Sequence, residues 1–221
     1  MELDVRQLPL GPFPTNCYLV RLPGESEAAV VDPGWPGTAA DIRLELAGLG
    51  ARCAAILVTH GDLDHIGGVA ELAEGTEAEV WMADQERDRL ERANDFKPVG
   101  FETVTLRSWT PEHPLAGDET FEAAGIGWET VLVPGHTQAH LAFHAEGHLF
   151  SGDVLFASSV GRTDREGGSH ETLIESIRTL VDRFPPETVV YPGHGPVTTL
   201  GQELDTNPFL ADLRAARAGD P

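Results

Sequence analysis

Four side chains able to ligate a metal fall within six residues of this chain, in the stretch Thr59-His60-Gly61-Asp62-Leu63-Asp64-His65-Ile66-Gly67-Gly68, directly after the apolar run from Ala54 to Val58. On a strand His60, Asp62 and Asp64 would share one face and His65 would point to the other. A helix would pair His60 with Asp64 and turn Asp62 away. All four converge only on a loop, and a loop at the end of a buried strand is where layered α/β sheets build their sites. A polar loop that merely caps a helix would explain Asp62 and Asp64 but not two histidines.

Three further clusters repeat the plan, each a His or Asp beside Gly at the end of a predicted strand: Pro134-Gly135-His136-Thr137, Ser151-Gly152-Asp153 and Pro192-Gly193-His194-Gly195-Pro196. Together they place His60, Asp62, Asp64, His65, His136, Asp153 and His194 at strand ends. That is enough nitrogen and oxygen donors for two divalent cations.

With these residues in view the chain resembles the metallo-β-lactamase superfamily over nearly its whole length, whose hallmark is a His-x-His-x-Asp-His loop with downstream His, Asp and His. The segments Gly152-Asp153-Val154-Leu155-Phe156, Gly161-Arg162-Thr163-Asp164, Gly193-His194-Gly195-Pro196 and Thr206-Asn207-Pro208-Phe209-Leu210 are similar to the short glyoxalase II-like branch. The resemblance implies one metal on His60, Asp62 and His136, a second on Asp64, His65 and His194, and Asp153 bridging them. It also implies a metal-dependent hydrolase of thioesters, such as S-acyl adducts of glutathione or another small thiol. The alternative on the same fold is an iron-dependent persulfide dioxygenase.

Position 62 departs from the family, which usually has His there. A carboxylate still ligates, but it adds charge and hardness, so the expected cofactors are two divalent metal ions, zinc, or iron or manganese at the Asp62 position. A hydroxide bridging two cations is available near neutral pH and attacks a carbonyl polarised by the same ions, so no Ser or Cys nucleophile is needed. Asp64 is the candidate catalytic residue, as ligand and as orienter or acceptor of the nucleophile's proton. Full-length glyoxalase II proteins carry a further helical domain with basic residues for the glutathione carboxylates, and this chain stops soon after Leu210, which leaves the thiol open.

The remaining candidates read as support. His136, His140, His144 and His148 recur every fourth residue, but Pro134, Gly135 and Gly147 rule out a helical metal stripe, and only His136 is taken as a ligand. His140 is a candidate for orienting a ligand. His113 and His170 read as surface or capping residues, Arg162 and Asp164 as a buried support pair, and Asp32 as an anchor holding the metal loop by hydrogen bonds. Cys17 and Cys53 sit in apolar runs and read as buried reduced thiols.

The elements that must position these residues follow from periodicity. Short β-rich runs at 4–10, 16–22 and 27–31, punctuated by Gly and Pro, predict an antiparallel meander. Helical spacing predicts a helix over 38–49, closed by Gly50. A strand at 54–58, a helix at 66–74, a strand at 79–82 and a helix at 84–92 follow. Residues 94–118 lose periodicity and read as a long loop that covers a pocket or packs on the surface. Strands are predicted at 130–133, 140–144, 148–151 and 188–191, with helices at 170–184 and 201–218. Such strands need two sheets packed together with helices outside, and the predicted fold is the four-layer αββα metallo-β-lactamase sandwich in one domain spanning 1–221.

Composition bounds the partners. The chain has 221 residues, 36 acids against 15 bases and a formal charge of −21, which repels polyanions and argues against nucleic acid or an anionic membrane in favour of a small-molecule substrate. No run approaches the ~20 apolar residues of a membrane span. Met1-Glu2-Leu3-Asp4 lacks the basic start of a signal peptide, and the chain reads as cytoplasmic.

Overall fold

The computed structural model describes residues 2–218. The chain opens with the meander β1 (Asp4–Leu10), β2 (Thr15–Arg21) and β3 (Glu27–Val31), followed by α1 (Ala39–Gly48), β4 (Arg52–Leu57), α2 (Leu63–Ile66), α3 (Val69–Thr76), β5 (Glu79–Ala83) and α4 (Arg87–Glu91). β6 (His113–Leu115) completes a six-stranded sheet in the order β1-β2-β3-β4-β5-β6. The first three strands pair antiparallel and the next three parallel, so the sheet is mixed.

The second sheet is built from β7 (Thr120–Ala123), β8 (Ile126–Leu132), β9 (Leu141–Ala145), β10 (His148–Gly152), β13 (Val189–Pro192) and β14 (Thr198–Thr199), in the order β14-β13-β10-β9-β8-β7. It too is mixed, with β10 and β13 parallel and its other pairs antiparallel. The short hairpin β11 (Leu155–Phe156) and β12 (Ser159–Val160) leaves the end of β10. α5 (His170–Arg183), α6 (Leu200–Thr206) and α7 (Ala211–Ala218) follow.

Side-chain alternation along each strand explains why the sheets stack. Val30, Ile56 and Val80 point to one face of the first sheet and bury against Ile42 and Leu46 of α1 and Leu72 of α3. Their neighbours Ala29, Val31, Ala55, Leu57 and Trp81 point to the other face and meet Trp128, Leu141, Phe143 and Phe150 of the second sheet. The outer face of that second sheet, with Val131, Ala142, Leu149 and Val190, is covered by Leu173, Ile177 and Leu180 of α5 and Leu200 of α6. Three apolar seams therefore separate four layers, helix, sheet, sheet and helix, as the strand pattern predicts.

Several elements differ from the sequence reading. The 94–118 segment is not loop throughout, since His113–Leu115 joins the first sheet as β6. β7 was not anticipated, and β8 begins at Ile126 rather than 130. The predicted terminal helix breaks in two. Asn207 is extended (φ −66°, ψ 122°), as a residue before proline prefers, and Pro208 starts a short 3-10 turn before α7. The helix expected over 66–74 is likewise two pieces, α2 and α3, either side of Gly67-Gly68.

Candidate metal centre

Four loops deliver the seven candidate ligands to one place, each at the C-terminal end of a strand. The loop after β4 carries His60 to His65, the loop after β8 carries His136, that after β10 carries Asp153 and that after β13 carries His194. Among the described residues, ligand atoms within 4.8 Å of one another form three groups: His60 with Asp62 and His136, Asp64 with His65 and His194, and His60 with His65 and Asp153. Asp153 stands between the first two, its carboxylate 3.5 Å from His65 Nε2, 3.7 Å from His136 Nε2 and 3.6 Å from His194 Nε2. All seven predicted side chains are brought together.

Hydrogen bonds at the far side of each imidazole set which nitrogen faces the cluster. Asp32, itself buried, accepts from Thr59 N and Thr59 Oγ1 at 2.9 and 2.8 Å, and His65 Nδ1 lies 2.9 Å from its Oδ2. With its proton committed to Asp32, Thr59 Oγ1 can only accept from His60 Nδ1, 3.0 Å away. His136 Nδ1 donates to the carbonyl of Arg162 at 2.8 Å. Each of the three rings therefore carries its proton on Nδ1 when neutral and turns the Nε2 lone pair inward. Those three Nε2 atoms and Asp153 Oδ1 are buried without a hydrogen-bond partner. Native proteins seldom leave such atoms unpaired unless something else binds them, so the donor set fits divalent cations.

Asp32 performs the anchoring that the sequence suggests. His140 is also a positioning residue: its Nε2 accepts from Asp153 N at 3.0 Å and its ring stacks on His60 at 4.6 Å. His144 faces Glu129 and Phe184, and His148 contacts Tyr191, so neither reaches the cluster. His113 pairs with Glu79 at 2.8 Å and stacks on Trp81, and His170 is exposed at the start of α5. Cys17 and Cys53 are buried free thiols. Arg162 and Asp164 do pair, at 2.7 and 2.8 Å, but the pair is exposed rather than buried, because it lies on the loop that rims the cavity.

Sequence reasoning missed four contributors. Glu86 is buried and accepts from Gly61 N at 2.7 Å and Ala139 N at 3.2 Å, tying two ligand loops together. Thr15 Oγ1 donates to Asp64 at 2.9 Å. Arg165 reaches Asp62 at 2.7 Å, with Arg89 3.9 Å from the other oxygen. None of these has a local sequence signal, since each partner lies far along the chain. Close packing also fixes a glycine: a Cβ at Gly193 would overlap Asp153 Oδ1 and come within 2.8 Å of His65.

The electrostatics follow from burial opposed by charge. Burial, reinforced by the neighbouring imidazoles, pushes His60 well below the usual histidine range, and burial with His136 brings His140 down to about 3. Burial also works against a charged His65, but Asp153 and Asp32 overcome it and raise this imidazole well above its ordinary value. His136 and His194 are raised in the same way, against burial, chiefly by Asp62 and Asp64 respectively. Burial would raise the three carboxyls, yet His136 and Arg165 hold Asp62 low, His194 and His65 bring Asp64 down to about 2, and His65 holds Asp153 well below the carboxylate range. Above the cluster lies a cavity of about 600 Å³, rimmed by Phe13, Trp35, Phe101, Phe156, Arg162 and Arg165 and floored by Asp62, Asp64, His136, Asp153 and His194. Phe101 comes from the 94–118 segment, which here borders the cavity rather than only packing on the surface.

Known proteins share this arrangement of chain and fold. The hydroxyacylglutathione hydrolase GloC of Haemophilus influenzae is 33% identical over 94% of this chain and 98% of its own length. The crystal structure of the BLEG-1 B3 metallo-beta-lactamase superposes with a TM-score of 0.86 at 35% identity, covering 94% of this chain and all of that one. TTHA1623, solved in a di-iron-bound form, superposes with a TM-score of 0.81 at 34% identity over 93% of this chain and all of its own. The sequence profile of the metallo-beta-lactamase superfamily matches residues 10–194, a span that holds all seven clustered side chains, and the chain belongs to that superfamily.

Proposed function

We propose that this protein is a thioester hydrolase that works with two divalent cations, one held by His60, Asp62 and His136, the other by Asp64, His65 and His194, with Asp153 shared between them. The observation that carries the proposal is the set of inward-facing, buried atoms without a hydrogen-bond partner, His60 Nε2, His65 Nε2, His136 Nε2 and Asp153 Oδ1, beneath an open cavity. The likeness to GloC, named a hydroxyacylglutathione hydrolase, supports thioesters as the substrate. The likeness to TTHA1623 in its di-iron form, together with the carboxylate at position 62, supports iron or manganese beside zinc.

Cations bound there supply Lewis acidity toward a carbonyl oxygen and an acidified water at neutral pH. The protein's part is orientation. Asp64 lines the cavity and is tethered by Thr15 Oγ1, which leaves its carboxylate to accept a hydrogen bond from the attacking water and aim its lone pair. Asp32 and His140 keep His65 and Asp153 from turning. Phe13, Trp35 and Phe101 wall one side against bulk water.

The test is metal analysis of protein purified without added metal, paired with a panel of thioesters. Two ions per chain and metal-dependent release of free thiol are expected. One iron per chain with oxygen uptake on a persulfide would replace this reading with the dioxygenase alternative.

A further inference from the structure

The cavity is two-sided, and different elements make the two sides. Phe13 in the β1–β2 loop, Trp35 after β3 and Phe101 in the segment before β6 meet edge to face, every pair of ring centroids 5.7 Å apart. This wall adjoins one end of the ligand cluster. Thr15, two residues after Phe13, hydrogen-bonds Asp64 and forms an isolated bridge with His194. Apolar surface remains open at the mouth, where Phe13 is 45% exposed.

The lining toward Asp62 carries Arg162 and Arg165, and each is paired with a carboxylate. Arg162 grips Asp164 with two bonds of 2.7 and 2.8 Å, and Arg165 holds Asp62 at 2.7 Å. Each pair offsets the charge of its arginine, and the other charged side chains on the lining are carboxylates and imidazoles, so this side offers a polyanion little net positive charge. An uncharged apolar group need only cover the aromatic wall, and doing so removes that wall from water.

We infer that Phe13, Trp35 and Phe101 form the subsite for an uncharged apolar acyl group, so that the substrates are thioesters of aromatic or medium-chain acids, bound with the acyl group at the Asp64 and His194 end. The inference rests on the thioester-hydrolase reading and names its substrate class. Hydrolysis balances simply: water adds to the acyl carbon, the carbon–sulfur bond breaks, and the products are a carboxylic acid and the free thiol.

The experiment uses the full-length, metal-loaded protein and thioesters of N-acetylcysteamine, an uncharged thiol, with acetyl, butyryl, hexanoyl and phenylacetyl groups. kcat/KM should rise about fourfold per methylene buried, mainly through KM. Phe101→Ala and Phe13→Ala should each reduce the phenylacetyl-to-acetyl ratio by about tenfold, with melting temperature and metal content followed to show that the fold persists. Calorimetry with non-hydrolysable thioethers, S-(2-phenylethyl)- and S-ethyl-N-acetylcysteamine, reads the subsite without turnover. If no thioester is cleaved but the phenylethyl compound binds on the order of tenfold tighter than the ethyl one and loses that advantage in Phe101→Ala, the subsite stands and the hydrolase reading falls. A flat acyl series, a slope that survives both substitutions, or equal binding of the two thioethers overturns the subsite.

Discussion

Asp62 carries its charge beside Arg165, 2.7 Å away, and it is the position at which this loop departs from the His-x-His-x-Asp-His pattern. In the proposed site a carboxylate there would put two anionic ligands, Asp62 and Asp153, on one cation and partly cancel the charge that acidifies bound water. Asp62→His should therefore raise the preference for zinc and move the pH optimum of hydrolysis downward, while Asp62→Ala should lose one metal per chain. Unchanged metal content and pH profile in both variants would show that Asp62 touches no metal. A second outcome concerns protons. Against burial, their carboxylate neighbours raise His65, His136 and His194, so without metal each ring keeps its proton to a higher pH than an ordinary imidazole, whereas a metal would need each Nε2 lone pair. Metal affinity should fall as the pH falls through those raised values, and calorimetry in two buffers of different ionisation enthalpy should show net proton release on binding. Binding without proton release would contradict these assignments. At this scale the clustering of the seven side chains was legible because His and Asp beside Gly at strand ends is a local pattern. Glu86, Thr15 and Arg165 were not, because only the folded chain brings them to the loops they hold.

The hairpin that rims the cavity is held by elements outside the site. Asn207, buried between α6 and α7, donates to the carbonyls of Phe156 and Ser159 at 3.4 and 3.0 Å, and Glu203 accepts from Ser158 N at 2.7 Å, so the chain after β14 clamps the β11–β12 hairpin that rims the cavity. Asn207→Ala should leave buried carbonyls unsatisfied and lower stability by about 1–3 kcal/mol in urea unfolding. A change within error would show that water replaces the amide. Gly193→Ala should act on the site instead, forcing Asp153 and His65 apart and reducing metal content, measured by elemental analysis against the wild type. Retained metal would mean that the β13 loop yields. Long strands and helices such as β1, β3 and α5 were readable from periodicity. β7, β11, β12 and β14, of two to four residues, were not, since strands so short take their register from a partner rather than from their own alternation. The break at Asn207-Pro208 had a signal, the proline, which the apolar spacing around it masked.

The two sheets meet at the ligand cluster. His60, Asp62, Asp64 and His65 come from the first sheet and His136, Asp153 and His194 from the second, so a cation in either trio links halves otherwise joined by the seam around Tyr18, Trp128 and Phe150. Chelation should lower the melting temperature, by an amount equivalent to about 2.7 kcal/mol for free metal at a hundredfold its Kd, and re-addition should restore it. A melting temperature indifferent to chelator would show that the seam suffices alone. The account rests on two separate metal positions, and an anomalous-difference map from crystals of metal-loaded protein tests that most directly. It should show two peaks, one among His60, Asp62 and His136 and one among Asp64, His65 and His194, with Asp153 between them. A single peak, or a peak that leaves His136 or His194 outside its contacts, would contradict it.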